Sequence, residues 1–348
     1  MKLRSIALGL GVGLSPYCMA AAPALPAVAA DGSAVTVSGI SSGGYMAVQF
    51  QVAYSKLVKG AGIVAAGPYD CADGSALRAL TNCMAPTSWT PPPKPAEIKP
   101  RMESRARLGL IDPPAALADD RVWVLTGGAD HTVERPVVES LVAFYKEWMP
   151  AAAIRFVTLP NAGHAMISVS DGKPNACATS EPPFINRCGD FDAPGELLGH
   201  LLGNLNPKKT PEPASLRTFN QRPFIAGLPA DIGMGDEGFA YVPASCRSGG
   251  CRVHVAFHGC LQSEDQVGRR FVEGAGYNAW AEANRIVVLY PQTIARSGWA
   301  PGSMRWVYNP KGCWDWWGYS AMDYATRNAP QMAAVRKMIA RLAETPAQ

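Results

Sequence analysis

Short, unbroken apolar runs are what most constrain the fold of this chain. Residues 34–37, 62–66, 122–125, 154–159, 253–257 and 286–290 are too short for ordinary helices, and several are apolar throughout instead of at every second position. Continuous apolar strands belong in a parallel sheet buried on both faces. Between them, residues 44–57, 134–148, 195–202, 265–284 and 331–343 carry helical periodicity. The alternation predicts an α/β fold with a mostly parallel sheet and helices on both faces. The Pro-rich stretch 91–100 reads as a surface loop. The Pro/Lys-rich stretch 206–214 is a candidate boundary, followed by a hairpin-like piece around 239–242. No repeat or separate module is visible, so residues 30–348 are expected to form one domain.

The chain opens on Met1-Lys2-Leu3-Arg4, and residues 6–14 are apolar but too few to span a bilayer. A run of small residues follows. This is the pattern of a signal peptide within residues 1–29, with cleavage sites offered at 20–22 and at 29. Cys18 follows Pro16-Tyr17, where a lipid-anchored leader would carry small residues. Secretion is therefore expected, without stable membrane insertion. Removing Cys18 leaves eight of the nine cysteines, an even set in an oxidising compartment, which favours disulfides. Three close pairs stand out, Cys71–Cys83, Cys177–Cys188 and Cys246–Cys251, and they leave Cys260 to bond Cys313. Short C-x-x-C spacing is absent, so no zinc site is expected. The formal net charge of +4 is spread without a basic block, which argues against a nucleic-acid partner.

Gly39-Ile40-Ser41-Ser42-Gly43 lies between a predicted strand and a predicted helix. This is G-x-S-x-G in the context it requires: a tight turn lifts the serine hydroxyl above the sheet at the positive end of a helix. The backbone N–H of Ser42 would then face the oxyanion that forms on a substrate. A serine hydroxyl is a weak nucleophile at neutral pH and needs a histidine base, itself oriented by a carboxylate. The chain has five histidines. His164 lies in the loop after strand 154–159, and Asp130 in the loop after strand 122–125, giving the order Ser, Asp, His of an α/β-hydrolase. His131 competes as base but adjoins Asp130 on the same loop; Asp70 and Asp73 compete as acid. His200 reads as an ordinary helix residue. A second oxyanion donor is expected from His258-Gly259-Cys260, after strand 253–257. That segment precedes the nucleophile in an ordinary α/β-hydrolase and follows it here, so the chain reads as circularly permuted. Surface-exposed termini make such a permutation tolerable.

Residues 38–46 (SGISSGGYM), 257–262 (FHGCLQ) and 312–319 (GCWDWWGY) together resemble the single-domain, circularly permuted poly(3-hydroxybutyrate) depolymerases. The likeness runs over most of the mature chain. It implies Ser41 as nucleophile, Asp130 and His164 as its partners, and the N–H groups of Ser42 and Cys260 as the oxyanion hole. It also implies that a tryptophan among Trp314, Trp316 and Trp317 lines the substrate crevice. Members that erode crystalline granules often add a linker and a substrate-binding domain, and this sequence shows neither. No cofactor or metal is called for, the polyester or an oligoester is the expected partner, and a monomer is expected. Two other readings share the same residues: a feruloyl or acetyl-xylan type carboxylesterase, and a non-catalytic binding protein on a hydrolase scaffold.

Overall fold

The computed structural model describes residues 22–302 and 304–346. The basic start and apolar run of the expected leader, with Cys18, lie outside the described residues. Four strands come from the first half of the chain: β1 (Asp31–Ile40), β2 (Val58–Val64), β3 (Arg121–Gly127) and β4 (Ile154–Leu159). Three short strands, β5 (Met166–Ile167), β6 (Asn175–Ala176) and β7 (Ile185–Arg187), form a small separate sheet. The second half supplies β8 (Leu216–Asn220), β9 (Glu237–Tyr241), β10 (Arg252–Phe257) and β11 (Ile286–Tyr290), then an antiparallel hairpin of β12 (Arg296–Ala300) and β13 (Arg305–Asn309).

The large sheet runs β4-β3-β2-β1-β10-β11-β9-β8. Its first six strands are parallel, and β9 and β8 are antiparallel at one edge. Strands from both halves of the chain therefore meet at its centre, where β1 pairs with β10. This is the α/β architecture expected from the unbroken apolar runs, and β11 is buried at every position as a two-sided strand must be.

Nine helices are described: α1 (Ser42–Ala53), α2 (Ala76–Leu80), α3 (Pro95–Arg107), α4 (Arg135–Lys146), α5 (Ala193–Leu202), α6 (Glu264–Val267), α7 (Arg270–Gly274), α8 (Tyr277–Asn284) and α9 (Pro330–Ala343). The crossovers β1–α1–β2 and β3–α4–β4 run across the sheet in one direction, and β10–α8–β11 in the other. Right-handed connections place α1 and α4 on one face and α8 on the other. Tyr145 of α4 donates to Gln51 of α1 at 2.8 Å, while α5 packs with α8. Helix α1 is buried on every side, so it shows no polar face.

Two expectations are corrected, and one element is new. The Pro-rich stretch 91–100 is not all loop: Pro95 opens α3, where its missing N–H costs nothing, and Pro100 is carried inside the helix. The single helix expected over 265–284 is three, broken at Gly268 and Gly276, both at positive φ. The β12–β13 hairpin went unforeseen, and it holds Trp299, Trp306 and Tyr308 largely exposed to solvent. At the N-terminal side, Leu25 and Val28 are buried, and the Val28 N–H donates to Leu342 O at 3.2 Å. Packing of the domain thus starts before residue 30. All four disulfides form as expected: Cys71–Cys83, Cys177–Cys188, Cys246–Cys251 and Cys260–Cys313.

Candidate active site

Ser41 sits in the turn from β1 to α1 with φ 55° and ψ −124°, a backbone conformation that L-residues rarely adopt. Its neighbours explain how the turn closes. A methyl group at Gly39 would lie 2.2 Å from Gly43 O, and one at Gly43 would lie 2.3 Å from both Phe257 O and His258 O. Glycine at 39 lets the turn close on itself, and glycine at 43 lets the elbow press against the end of β10. The N–H of Ser41 donates to Val64 O at 3.0 Å, anchoring the turn to β2.

The loops after β3 and β4 meet beside it. His164 Nδ1 lies 2.8 Å from Asp130 Oδ2, and both residues are about 5% exposed. The other carboxylate oxygen of Asp130 accepts the N–H groups of Thr132 (2.8 Å) and Val133 (3.0 Å). A carboxylate held this way fixes the proton of His164 on Nδ1 and leaves Nε2 as the acceptor. His131, the competing base, is exposed. Asp70, a competing acid, is taken up by Arg105 at 2.8 Å, Arg101 at 3.2 Å and the Tyr324 hydroxyl at 2.5 Å. Asp73 lies 3.7 Å from the Arg101 guanidinium. His200 is on α5, where its ring meets Ala153 O at 3.0 Å.

The loop after β10 forms the opposite wall. His258 is fully buried, and the Thr293 N–H donates to its Nε2 at 3.2 Å. The ring proton is thereby placed on Nδ1, which donates to Gly259 O at 2.8 Å. Burial pushes the His258 pKa down to about 4, so the ring stays neutral near pH 7. In a trans peptide the C=O and the next N–H point in opposite directions. With Gly259 O turned to His258, the Cys260 N–H points away from that ring. The Cys260–Cys313 disulfide and the Leu261 N–H, bonded to Lys311 O at 2.7 Å, tie this loop to the tryptophan-rich segment.

Ser41, His164, Cys260, Trp316 and Trp317 all line one cavity of about 550 Å³, along with Leu80, Met84, Phe184 and Tyr308. The tryptophans part company here. Trp316 stacks on Tyr45 of α1 with ring centroids 4.1 Å apart and planes 8° from parallel, and Trp317 meets Trp316 edge-on at 5.5 Å. Trp314 is 0% exposed and packs in the core against Phe257 and His258, so its expected place in the crevice is corrected. The reversal is set by Asp315, whose carboxylate accepts the N–H groups of Gly318 (2.7 Å), Tyr319 (3.0 Å) and Ser320 (2.8 Å). The segment folds around that side chain, sending one indole into the core and two toward the cavity. Among the described residues no cluster of His, Cys, Asp and Glu could hold a metal ion, and no helix is long and apolar enough to cross a membrane.

Comparison with known proteins identifies the family. The chain is 37% identical over 327 residues to the polyhydroxybutyrate depolymerase of Talaromyces funiculosus, covering 90% of this chain and 91% of that one. The chain belongs to the poly(3-hydroxybutyrate) depolymerase family. It is also 39% identical over 350 residues to the poly(3-hydroxybutyrate) depolymerase of Delftia acidovorans, covering 98% of this chain but only 66% of that relative's length. Two solved depolymerase structures superpose with a TM-score of 0.80, each covering 92% of this chain and 98% of the other. One is the enzyme from Penicillium funiculosum, at 33% identity. The other, at 34% identity, is a PHB depolymerase with a serine-to-alanine substitution, complexed with an R3HB trimer. No general family model matches the chain. Residues in this depolymerase fold that sequence reasoning passed over include Ser180, whose Oγ accepts the His164 N–H at 2.8 Å, and Phe184, edge-on to the His164 ring at 6.3 Å. Neither carries a motif; only the loop's return to the site marks them.

Proposed function

We propose that this chain is a serine esterase that hydrolyses the ester bonds of poly(3-hydroxybutyrate) and its oligomers through an acyl-enzyme. The observation that carries the reading is the Asp130–His164 hydrogen bond, with His164 lining the same apolar-walled cavity as the strained Ser41. His164 Nε2 takes the Ser41 proton as Oγ attacks the ester carbonyl carbon, and Asp130 steadies the imidazolium that forms. The N–H groups of Ser42 and Cys260 receive the oxyanion of the tetrahedral intermediate. Collapse expels the alcohol end of the chain, protonated by His164. Water, activated by the same base, then releases the acid and restores Ser41.

A hydroxybutyrate chain offers methyl and methylene groups and few hydrogen-bonding atoms, so its affinity must come largely from apolar contact. Trp316 and Trp317 supply that surface. The chain order fits a circularly permuted hydrolase, since the loop bearing Cys260 follows the elbow in sequence yet lies beside it in space. Four disulfides and the leader-like start support export. Cleavage at 20–22 would keep Leu25 and Val28 in the packed domain, and cleavage at 29 would remove them. Assay of the purified protein on amorphous polyhydroxybutyrate, hydroxybutyrate trimers and feruloyl esters tests the reading: polyester turnover that vanishes in Ser41→Ala upholds it, and hydrolysis of feruloyl esters alone overturns it.

A further inference from the structure

The two walls of the site are joined by one buried side chain outside the proposed triad. Gln262 is 1% exposed. Its Oε1 accepts the Gly259 N–H at 2.7 Å, and its Nε2 donates to Pro183 O at 2.8 Å and to Phe184 O at 3.0 Å. The amide thus has a partner at its acceptor and at both donors' atom. One end holds the loop that carries Cys260. The other holds the loop in which Phe184 packs on the His164 ring and Ser180 accepts the His164 N–H. Two residues along this span, Leu261 (φ 58°) and Phe184 (φ 54°), are in the left-handed region that non-glycine residues avoid, so the loops need holding. Nor is the spacing slack: a methyl group at Gly259 would lie 2.9 Å from Gln262 Oε1 and 3.4 Å from Ser41 Cβ.

We infer that Gln262 is a positioning residue that sets the distance between the oxyanion donor and the base. His258 holds the carbonyl of the Gly259–Cys260 peptide, and Gln262 holds the N–H one peptide earlier. Together they leave the Cys260 N–H little freedom to turn. By bonding the 183–184 backbone as well, Gln262 fixes that donor relative to His164. The inference rests on the proposed esterase reading. Its consequence is specific to the transition state, because a mispointed N–H weakens binding of the oxyanion far more than binding of a neutral ester.

The test compares Gln262→Leu and Gln262→Glu with the wild type on nitrophenyl butyrate, with an alkyl trifluoromethyl ketone as a mimic of the tetrahedral oxyanion. In Gln262→Leu, kcat should fall roughly tenfold to hundredfold with KM held within about twofold, and ketone affinity should fall in step. In Gln262→Glu the ionised carboxylate opposes two carbonyl oxygens, and protonation restores an O–H donor. Its rate relative to wild type should therefore rise as pH is lowered from about 8 to about 5. A merely structural role would lower melting temperature and active fraction without moving that ratio or the ketone affinity of the active fraction. Wild-type kcat in both variants, or lost kcat with undiminished ketone affinity and a flat ratio, overturns the inference. Should Gln262→Leu fail to fold, the pH ratio of Gln262→Glu decides it. A wild-type protein without esterase activity would instead sink the parent reading.

Discussion

The three neighbouring indoles should respond differently to truncation, because the structure gives each a different environment. Trp317 is half-buried and faces the cavity. A hydroxybutyrate unit laid on one face of it removes on the order of 60–80 Å² of apolar area from water, worth roughly 1.5–2 kcal/mol at about 25 cal/mol per Å². Trp317→Ala should therefore lower kcat/KM on a hydroxybutyrate trimer roughly tenfold to thirtyfold. Nitrophenyl acetate is too short to reach across the indole, and its turnover should change little. Trp314 packs on Phe257 and His258 with no exposure. Trp314→Ala should cost about 3–5 kcal/mol of stability and lower both activities together. Trp316 both lines the cavity and stacks on Tyr45, so its removal should combine the two effects. The assay is paired kinetics on trimer and nitrophenyl acetate, with melting temperatures for each variant. A selective loss of trimer turnover in Trp314→Ala but not in Trp317→Ala would refute the placement of the indoles.

Ser41→Ala and His164→Ala should each lower ester hydrolysis by roughly a thousandfold or more while His131→Ala stays near wild type; a strong loss in His131→Ala, with His164→Ala active, would move the base. Cys260–Cys313 closes a loop with a sequence separation of 53. In the chain-entropy model its loss should cost about 4 kcal/mol, read by urea unfolding of the Cys260→Ser/Cys313→Ser double variant, and unchanged stability would contradict it. Burial alone holds His254 down to a pKa of about 3, and burial dominates for His258 at about 4, against about 6.5 in an unfolded chain. Below pH 6.5 the unfolded state binds protons that the folded state refuses, so this contribution is fully present above 6.5 and is lost as pH falls toward 4. The slope from the pair is at most about 2.7 kcal/mol per pH unit. Urea titrations giving equal stability at pH 7 and pH 5 would show that these rings are not buried neutral.

Much of the molecule was legible in the residues themselves. Unbroken runs such as 286–290 announce two-sided burial because no solvated strand tolerates them, and the glycines around Ser41 announce an elbow because no other residue fits the turn. The pairing of Cys260 with Cys313 followed once three short-range pairs were assigned. Local patterns carry such information since each depends on near neighbours or on a single periodicity. Other features depend on which distant segments meet, and no local pattern encodes them. Residues 95–107 form a helix despite Pro100 in its interior because Ile98 and Met102 are buried in the core beside α4. Trp314 and Trp317 are three residues apart in the same motif, yet the fold of their backbone around the buried Asp315 carboxylate sends one into the core and one to the cavity. Gln262 reads as an ordinary polar residue until tertiary structure brings the loop at 183–184 against it. Sequence alone determined the mostly parallel core of the sheet, the elbow and the candidate chemistry; tertiary structure decided the antiparallel edge and which side chains share the cavity, because these depend on which distant segments pack together.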